Sequence, residues 1–245
     1  MPCFSIEIAG VPVEIRCRFS ENEEFLKEYI TGKEPLFVVE PKAEDLEQIQ
    51  YALDRRDKAD GMNRLQCTEH YLENNAIHAI LAEKLVAHSV LLLHGSALCM
   101  DGQAYIFIAP SGTGKSTHAR LWREIFGNRV WMINDDKPML RIEQDKVKVC
   151  GTPWGGKYHL SRNASAPLKA IVCLRRDETN HIEPMGKADA FAALMKQYFN
   201  SNDPVTMMRI VELKRRLLQF VGFYSLGCNT EPDAARVAWE GINAI

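Results

Sequence analysis

The stretch from Ala104 to Thr117 constrains this chain most. Tyr105, Ile106, Phe107 and Ile108 form a continuous apolar run, the pattern of a strand covered on both faces. Ala109-Pro110-Ser111-Gly112-Thr113-Gly114-Lys115-Ser116 follows, and a helical pattern opens near Lys115, continues to Phe126 and stops at Gly127, a natural C-cap. Strand, glycine turn and helix in that order fit the Walker A pattern, with Ala109 where the first Gly usually stands. Gly112 and Gly114 let the backbone curl without side-chain clashes, so that successive N–H groups point at one centre. The helix adds its positive N-terminal end. Pro110 to Thr117 are therefore candidate nucleotide-binding residues. In such a loop Lys115 supplies a mobile charge for β- and γ-phosphate oxygens, and Ser116 offers a hydroxyl to Mg²⁺.

The flanks read as a mixed α/β chain. Phe4 to Arg18 alternates as two strands broken at Gly10-Val-Pro. Glu21 to Ile30 is a short amphipathic helix for which Ser20 is the expected cap. Leu36 to Val39 is a strand, Glu44 to Leu53 a helix, and charged Arg55 to Asn63 a loop around Gly61. Thr68 to His88 is a stronger helix, with Leu72, Ile77, Ile80, Leu81, Leu85 and Val86 on one stripe. Asp101-Gly102 between apolar runs is a hairpin signal, so Leu91–Met100 and Ala104–Ile108 are expected to pair antiparallel. Beyond the glycine turn come a strand at Val130–Ile133, a hairpin of Met139–Glu143 with Lys146–Cys150, and a strand at Leu168–Leu174. Helices at Lys187–Tyr198 and Val205–Leu218, a strand at Val221–Leu226 and a helix at Pro232–Ile242 complete the chain.

Composition removes several alternatives. The net charge is −2 over 245 residues, which gives no general attraction to nucleic acid or membrane. The run Lys214-Arg215-Arg216 reads as a solvated helix face. Seven cysteines, none in a CxxC pair, argue against a disulfide framework or zinc site and for a reducing, cytoplasmic setting. No apolar run is long enough to span a bilayer, and no signal peptide is evident.

Chemistry gathers after Ile133. Asp135 and Asp136 end an apolar strand about twenty residues past Lys115, where a Walker B carboxylate belongs. Adjacent carboxylates can divide the work, one ligating Mg²⁺ and the other orienting or deprotonating an attacking hydroxyl. His94 ends a strand just before Gly95-Ser96, within reach of phosphate or acceptor. Thr152, Trp154, Gly155, Gly156 and Lys157 form a second glycine-rich loop for phosphate or acceptor, where glycine permits close backbone approach and Lys157 adds charge.

The order His94-Gly95, glycine loop, Asp135-Asp136 and a loop opening at Gly151 resembles the catalytic domain of the HPr kinase/phosphorylase family. That family shares its nucleotide core with ATP-dependent phosphoenolpyruvate carboxykinases. The resemblance covers residues 88 to 175. It implies a mixed β-sheet P-loop core with flanking helices, and phosphorylation of Ser or Thr with ATP and Mg²⁺ on Lys115 and Ser116. By the same carry-over Asp136 is the general base, Asp135 a metal-site carboxylate and His94 a neighbour of the transferred phosphate. The family usually has Glu at the position of Thr117 and Arg at that of Cys150. In length the chain resembles the shorter HPr-kinase-like proteins found beside peptide-modification genes, some of which phosphorylate a precursor peptide.

The expected architecture is thus α/β, with a small α/β region over 1–87 that can bind the acceptor and a P-loop kinase domain over 88–245. The expected activity is transfer of the γ-phosphate of ATP to a hydroxyl, most simply a Ser of a protein or peptide. A small-molecule kinase and a nucleotide-binding regulator without transfer stand as alternatives. Analogy with the family also raises a homo-oligomer.

Overall fold

Two consecutive left-handed residues, Ala9 (φ 51°) and Gly10 (φ 75°), turn the chain tightly between β1 (Cys3–Ile8) and β2 (Val11–Arg16). That is the geometry a two-residue hairpin prefers. The structure is a computed structural model and describes residues 1–59, 67–156, 158–196 and 201–244. Its chain divides into two units, Met1–His88 and Ser89–Ile245.

In the first unit, α1 (Glu21–Leu26) follows the hairpin, and β3 (Val38–Val39) joins β2 in parallel. Ser20 does not cap α1. Its backbone is already helical (φ −64°, ψ −23°), whereas a capping residue is extended. Glu73 holds this corner instead. Its carboxylate accepts from the Arg18 N–H (2.7 Å), the Phe19 N–H (3.2 Å) and Asn22 Nδ2 (2.7 Å). The next helix, α2 (Ala43–Ala59), runs past Leu53 through part of the expected loop, because Arg55 to Ala59 holds no Gly or Pro and is rich in helix formers. Residues 60–63 of that loop lie outside the described residues. Helix α3 (Glu69–Lys84) is capped by Thr68 Oγ1, which accepts from the Tyr71 N–H, and tightens into a 3₁₀ turn over Leu85–His88.

The second unit is built on a nine-stranded mixed sheet. Its elements are β4 (Val90–Leu92), β5 (Ser96–Met100), β6 (Gln103–Ile108), α4 (Lys115–Phe126), β7 (Val130–Asn134), β8 (Met139–Ile142), β9 (Val147–Cys150), β10 (Ser165–Arg176), β11 (His181–Pro184), α5 (Lys187–Lys196), α6 (Pro204–Phe220), β12 (Gly222–Cys228) and α7 (Asp233–Asn243). The β5–β6 hairpin forms as expected around Asp101 (φ 51°) and Gly102 (φ 79°), with Met100 opposite Gln103. The run Leu91–Met100 is not one strand, however. It breaks at Leu93–Gly95, where β4 leaves β8 and β5 joins β6 and β7.

Strand β10 belongs to two neighbourhoods. Its first residues pair antiparallel with β9. Its later residues lie between β6 and β12, parallel to both. The run Tyr105–Ile108 is therefore buried on both faces, as its unbroken apolarity implies. On one face α4 and α7 cover the sheet. Trp122 is fully buried among Tyr105, Phe107 and Phe126, and small Ala234, Ala235 and Ala238 let α7 approach closely. Helix α6 opens on Pro204, with Asp203 accepting from the Thr206 N–H at 2.7 Å. Of the expected helix Lys187–Tyr198, Gln197 and Tyr198 lie outside the described residues. Strand β11 has no counterpart in the sequence reading.

Candidate functional site

The chain leaves β6 at buried Ala109 and enters α4 at Lys115. Between them Gly112 (φ 75°) and Gly114 (φ 118°) adopt left-handed conformations. An added Cβ at Gly112 would meet nothing within 4 Å, so the backbone angle requires glycine there, not crowding. The Gly114 carbonyl accepts the first helical bond, from the His118 N–H at 2.9 Å. Pro110, Ser111, Gly112 and Ser116 are exposed, while Thr113, Gly114, Lys115 and Thr117 are half-buried. A glycine loop that opens a helix suits an anion. Lys115 Nζ donates to the Ala109 carbonyl at 3.0 Å. Burial lowers the affinity of its ammonium for the proton, and the charge of Asp136 opposes that.

Asn134 organises the end of β7. Its Nδ2 donates to the Thr152 carbonyl (3.0 Å), Thr152 Oγ1 (3.1 Å) and the Trp154 carbonyl (3.3 Å). Its Oδ1 accepts from the Asp136 N–H (2.9 Å) and the Lys137 N–H (2.6 Å). This fully buried amide therefore fixes both the backbone that presents the carboxylates and the loop that faces them.

The two carboxylates have different surroundings. Asp136 Oδ1 lies 3.1 Å from His94 Nδ1. Burial raises the Asp136 carboxyl, but the hydrogen bond and charge of His94, with Lys137 and Lys115, outweigh it, so the group sits below its ordinary value. Asp135 is almost fully buried. Its Oδ1 accepts from the Gly156 N–H at 2.6 Å, and its Oδ2 has no hydrogen-bond partner among the described residues. A buried carboxylate oxygen without a donor is the arrangement a cation would complete.

The second glycine loop divides into a structural and a facing part. Thr152 and Trp154 are buried, and Thr152 Oγ1 donates to the Lys137 carbonyl at 2.9 Å, so both pin the loop to β7. Gly155 and Gly156 lie against Asp135. A Cβ on Gly155 would come 2.9 Å from Asp135 Oδ1 and 2.3 Å from Ser161 Oγ, and one on Gly156 would come 2.9 Å from Asp135 Oδ2. Lys157 lies outside the described residues.

Two cavities flank the first glycine loop. One, of about 260 Å³, is lined by Ser116, Arg120, Arg123, Asp135 and Tyr158 among others. It brings Ser116 and Asp135 to one space, a hydroxyl and a carboxylate of the kind that hold a hard cation such as Mg²⁺ together with substrate phosphates. No group of three or more His, Cys, Asp or Glu that would hold a metal is found among the described residues.

The other cavity, of about 370 Å³, opens between Gly112–Gly114 and the ends of β10 and β12, at Arg176, Asp177 and Asn229. Arg176 Nη2 donates to the Gly112 carbonyl at 2.7 Å. His118 lines this cavity as well. Its Nε2 accepts from Trp122 Nε1 at 3.0 Å, which leaves the ring proton on Nδ1, and burial pushes its pKa down to about 3.

Asn134, Arg176, Asp177, Asn229 and His118 were not singled out from the sequence. The usable signal for Arg176 is its place at the carboxyl end of a parallel strand, where open α/β sheets bind ligands. That signal exists only once β10 is known to lie beside β6. Among the described residues no helix is long and apolar enough to cross a membrane.

No protein-family model matches this chain, and no curated protein matches it. Among solved structures, the HPr(Ser) kinase/phosphatase from Coxiella burnetii is similar to it with a TM-score of 0.31 and 10% sequence identity, over 52% of this chain and 92% of that one.

Proposed function

We propose that this chain is an ATP- and Mg²⁺-dependent kinase, acting in the cytoplasm where ATP is the phosphate donor, that phosphorylates a Ser hydroxyl of a protein or peptide. One observation carries the reading. The glycine loop, left-handed at Gly112 and Gly114, opens α4 at Lys115, and the Asp136 carboxylate, 3.1 Å from His94 Nδ1, lies within electrostatic reach of the Lys115 ammonium. A cation for phosphate and an ionised base thus converge on one place, as phosphoryl transfer requires.

The residues divide the work. Lys115 and loop N–H groups from Ser111 to Ser116, other than that of Thr113, which donates to the Pro110 carbonyl, draw charge from the transferred group. Asp136 accepts the proton of the acceptor hydroxyl as its oxygen bonds to phosphorus and the bond to the β-phosphate oxygen breaks, releasing ADP. His94 orients that carboxylate and keeps it ionised. Ser116 and Asp135 would hold Mg²⁺, which when bound neutralises charge on the β- and γ-phosphates. The cavity at Arg176, Asp177 and Asn229 takes the nucleoside. Its volume falls within the ~300–1,000 Å³ typical of small-ligand sites.

The test is calorimetric titration of ATP with and without Mg²⁺ on wild type and Asp136→Asn, followed by transfer to a pool of Ser peptides. The proposal expects Mg²⁺-dependent binding in both proteins and transfer in wild type alone, with a loss on the order of 10²–10⁴ in the variant. Binding without transfer to any acceptor would leave a nucleotide-binding regulator, and absence of binding would remove the phosphate site altogether.

A further inference from the structure

We propose that the cavity between α4 and the end of β7 docks an acidic side chain of the acceptor, which makes the preferred acceptor an acidic Ser-bearing peptide. The identity of the acceptor rests on the kinase reading above; the docking site rests on the side chains that line the cavity.

Ser116, Arg120 and Arg123 recur at helical spacing, so one face of α4 carries the serine at its rim and two guanidinium groups along its wall. Arg120 pairs with Glu124 at 2.5 Å and is about half exposed, with further N–H groups left over. Arg123 makes no ion pair among the described residues, and its Nε is buried without a hydrogen-bond partner. The rest of the Arg123 side chain is part-exposed and lines the cavity, and the outer N–H groups of a guanidinium are the geometric match of a planar carboxylate.

Opposite the arginines lies Asp135 with its own unpartnered oxygen. Alone it would repel an incoming carboxylate. Two guanidinium groups outweigh its single charge, so the lining as a whole still attracts an acidic side chain. Met132, Leu160 and Tyr158 give the cavity an apolar side against which methylene groups can lie. At about 260 Å³ the cavity falls below the ~300–1,000 Å³ range that encloses a whole small ligand, which favours one side chain of a larger acceptor over a free metabolite.

The experiment uses the full chain with Mg²⁺ and a non-hydrolysable ATP analogue. Labelled Ser peptides are compared in pairs that differ only by Glu against Gln at flanking positions. The best Glu peptide is expected to bind about tenfold tighter than its Gln twin, as charge-assisted pairing with Arg predicts. Arg123→Gln should abolish that difference. Arg120→Gln, at a half-exposed position that tolerates substitution, should reduce it about threefold. Both variants should still bind the ATP analogue, read by the same titration, so that a lost preference is not a lost nucleotide site.

Equal binding of Glu and Gln peptides, or a preference that survives both substitutions, would overturn the proposal. If acidic peptides bind through the arginines but, with ATP in place of the analogue, no phosphopeptide forms, the kinase reading falls and the docking site stands. If neutral peptides are bound and phosphorylated as well as acidic ones, the kinase reading stands and the docking site falls.

Discussion

His94 and Asp136 are joined twice. The imidazole Nδ1 lies 3.1 Å from the carboxylate Oδ1, and one residue along, the Gly95 N–H donates to the Asp136 carbonyl at 3.0 Å. The backbone contact sets the register between the break after β4 and the end of β7, so the side-chain contact does not depend on two free rotamers finding each other. An added Cβ on Gly95 would come 2.9 Å from the Phe107 carbonyl, which keeps this crossing tight.

His94→Ala should raise the Asp136 carboxyl. Burial, which pushes it up, remains, while the hydrogen bond and charge that bring it down are lost. In wild type the group titrates below its ordinary 3.8, and in the variant its midpoint moves upward. The carboxyl ¹³C shift of Asp136, followed against pH in both proteins, reads this directly. An unmoved midpoint would take His94 out of the site.

Asn134→Ala should cost about 3 kcal/mol or more of stability, because it removes five hydrogen bonds made by a buried amide, four of them to backbone groups. Transfer should fall in the surviving folded fraction too, since the Asp136 N–H and the Trp154 carbonyl lose their common anchor. Urea unfolding and activity per folded molecule measure the two effects separately. A loss below about 1 kcal/mol would mean that the loop holds itself.

Stability should fall as pH drops below 6.5, and His118 should account for much of that. Folded, its imidazole titrates at about 3; unfolded, near 6.5. Between those values the unfolded chain binds the extra proton. The contribution is therefore complete above 6.5 and fades by about 1 kcal/mol per pH unit as pH falls toward 3. His118→Gln, which keeps an acceptor for Trp122, should flatten the thermal midpoint between pH 6.5 and 4.5. An equal slope in both proteins would count against this assignment.

Two glycines should behave oppositely on substitution by Ala. At Gly151 the new Cβ would lie 1.9 Å from the Arg162 carbonyl and 2.8 Å from that of Ile133, so the loss should be about 3 kcal/mol or more, read by urea unfolding. At Gly112 nothing lies within 4 Å, and the left-handed φ of 75° costs only about 1–2 kcal/mol. There the larger effect should be on ATP affinity, at least tenfold by calorimetry, because the loop N–H groups lose their aim.

What could be read in advance was local. The apolar run at Tyr105–Ile108, the glycines of the loop and the Asp101-Gly102 turn each carry their conformation in a few adjacent residues. What could not be read depends on distant partners. Asn134 looks like one more turn former until the Thr152 and Trp154 carbonyls surround it. Ser20 looks like a cap, but its backbone is already helical, and Glu73, from a later helix, ties down the segment just before α1. Thr152 and Trp154 look like loop residues open to a ligand, and Asn134 draws them inward. Arg176 is an ordinary strand-end charge until β10 is set beside β6.

Strand β10 also sets an order of events. Ala104 finds its parallel neighbour only at Leu168, and that strand's other edge waits for Gly222. During synthesis the hairpin and the glycine loop emerge long before the strand that must lie beside them. A chain stopped ahead of residue 165 carries every glycine of both loops yet has an open sheet edge at β6, a template for aggregation. Shortening from the C-terminal side should therefore yield insoluble protein, not a smaller nucleotide-binding domain.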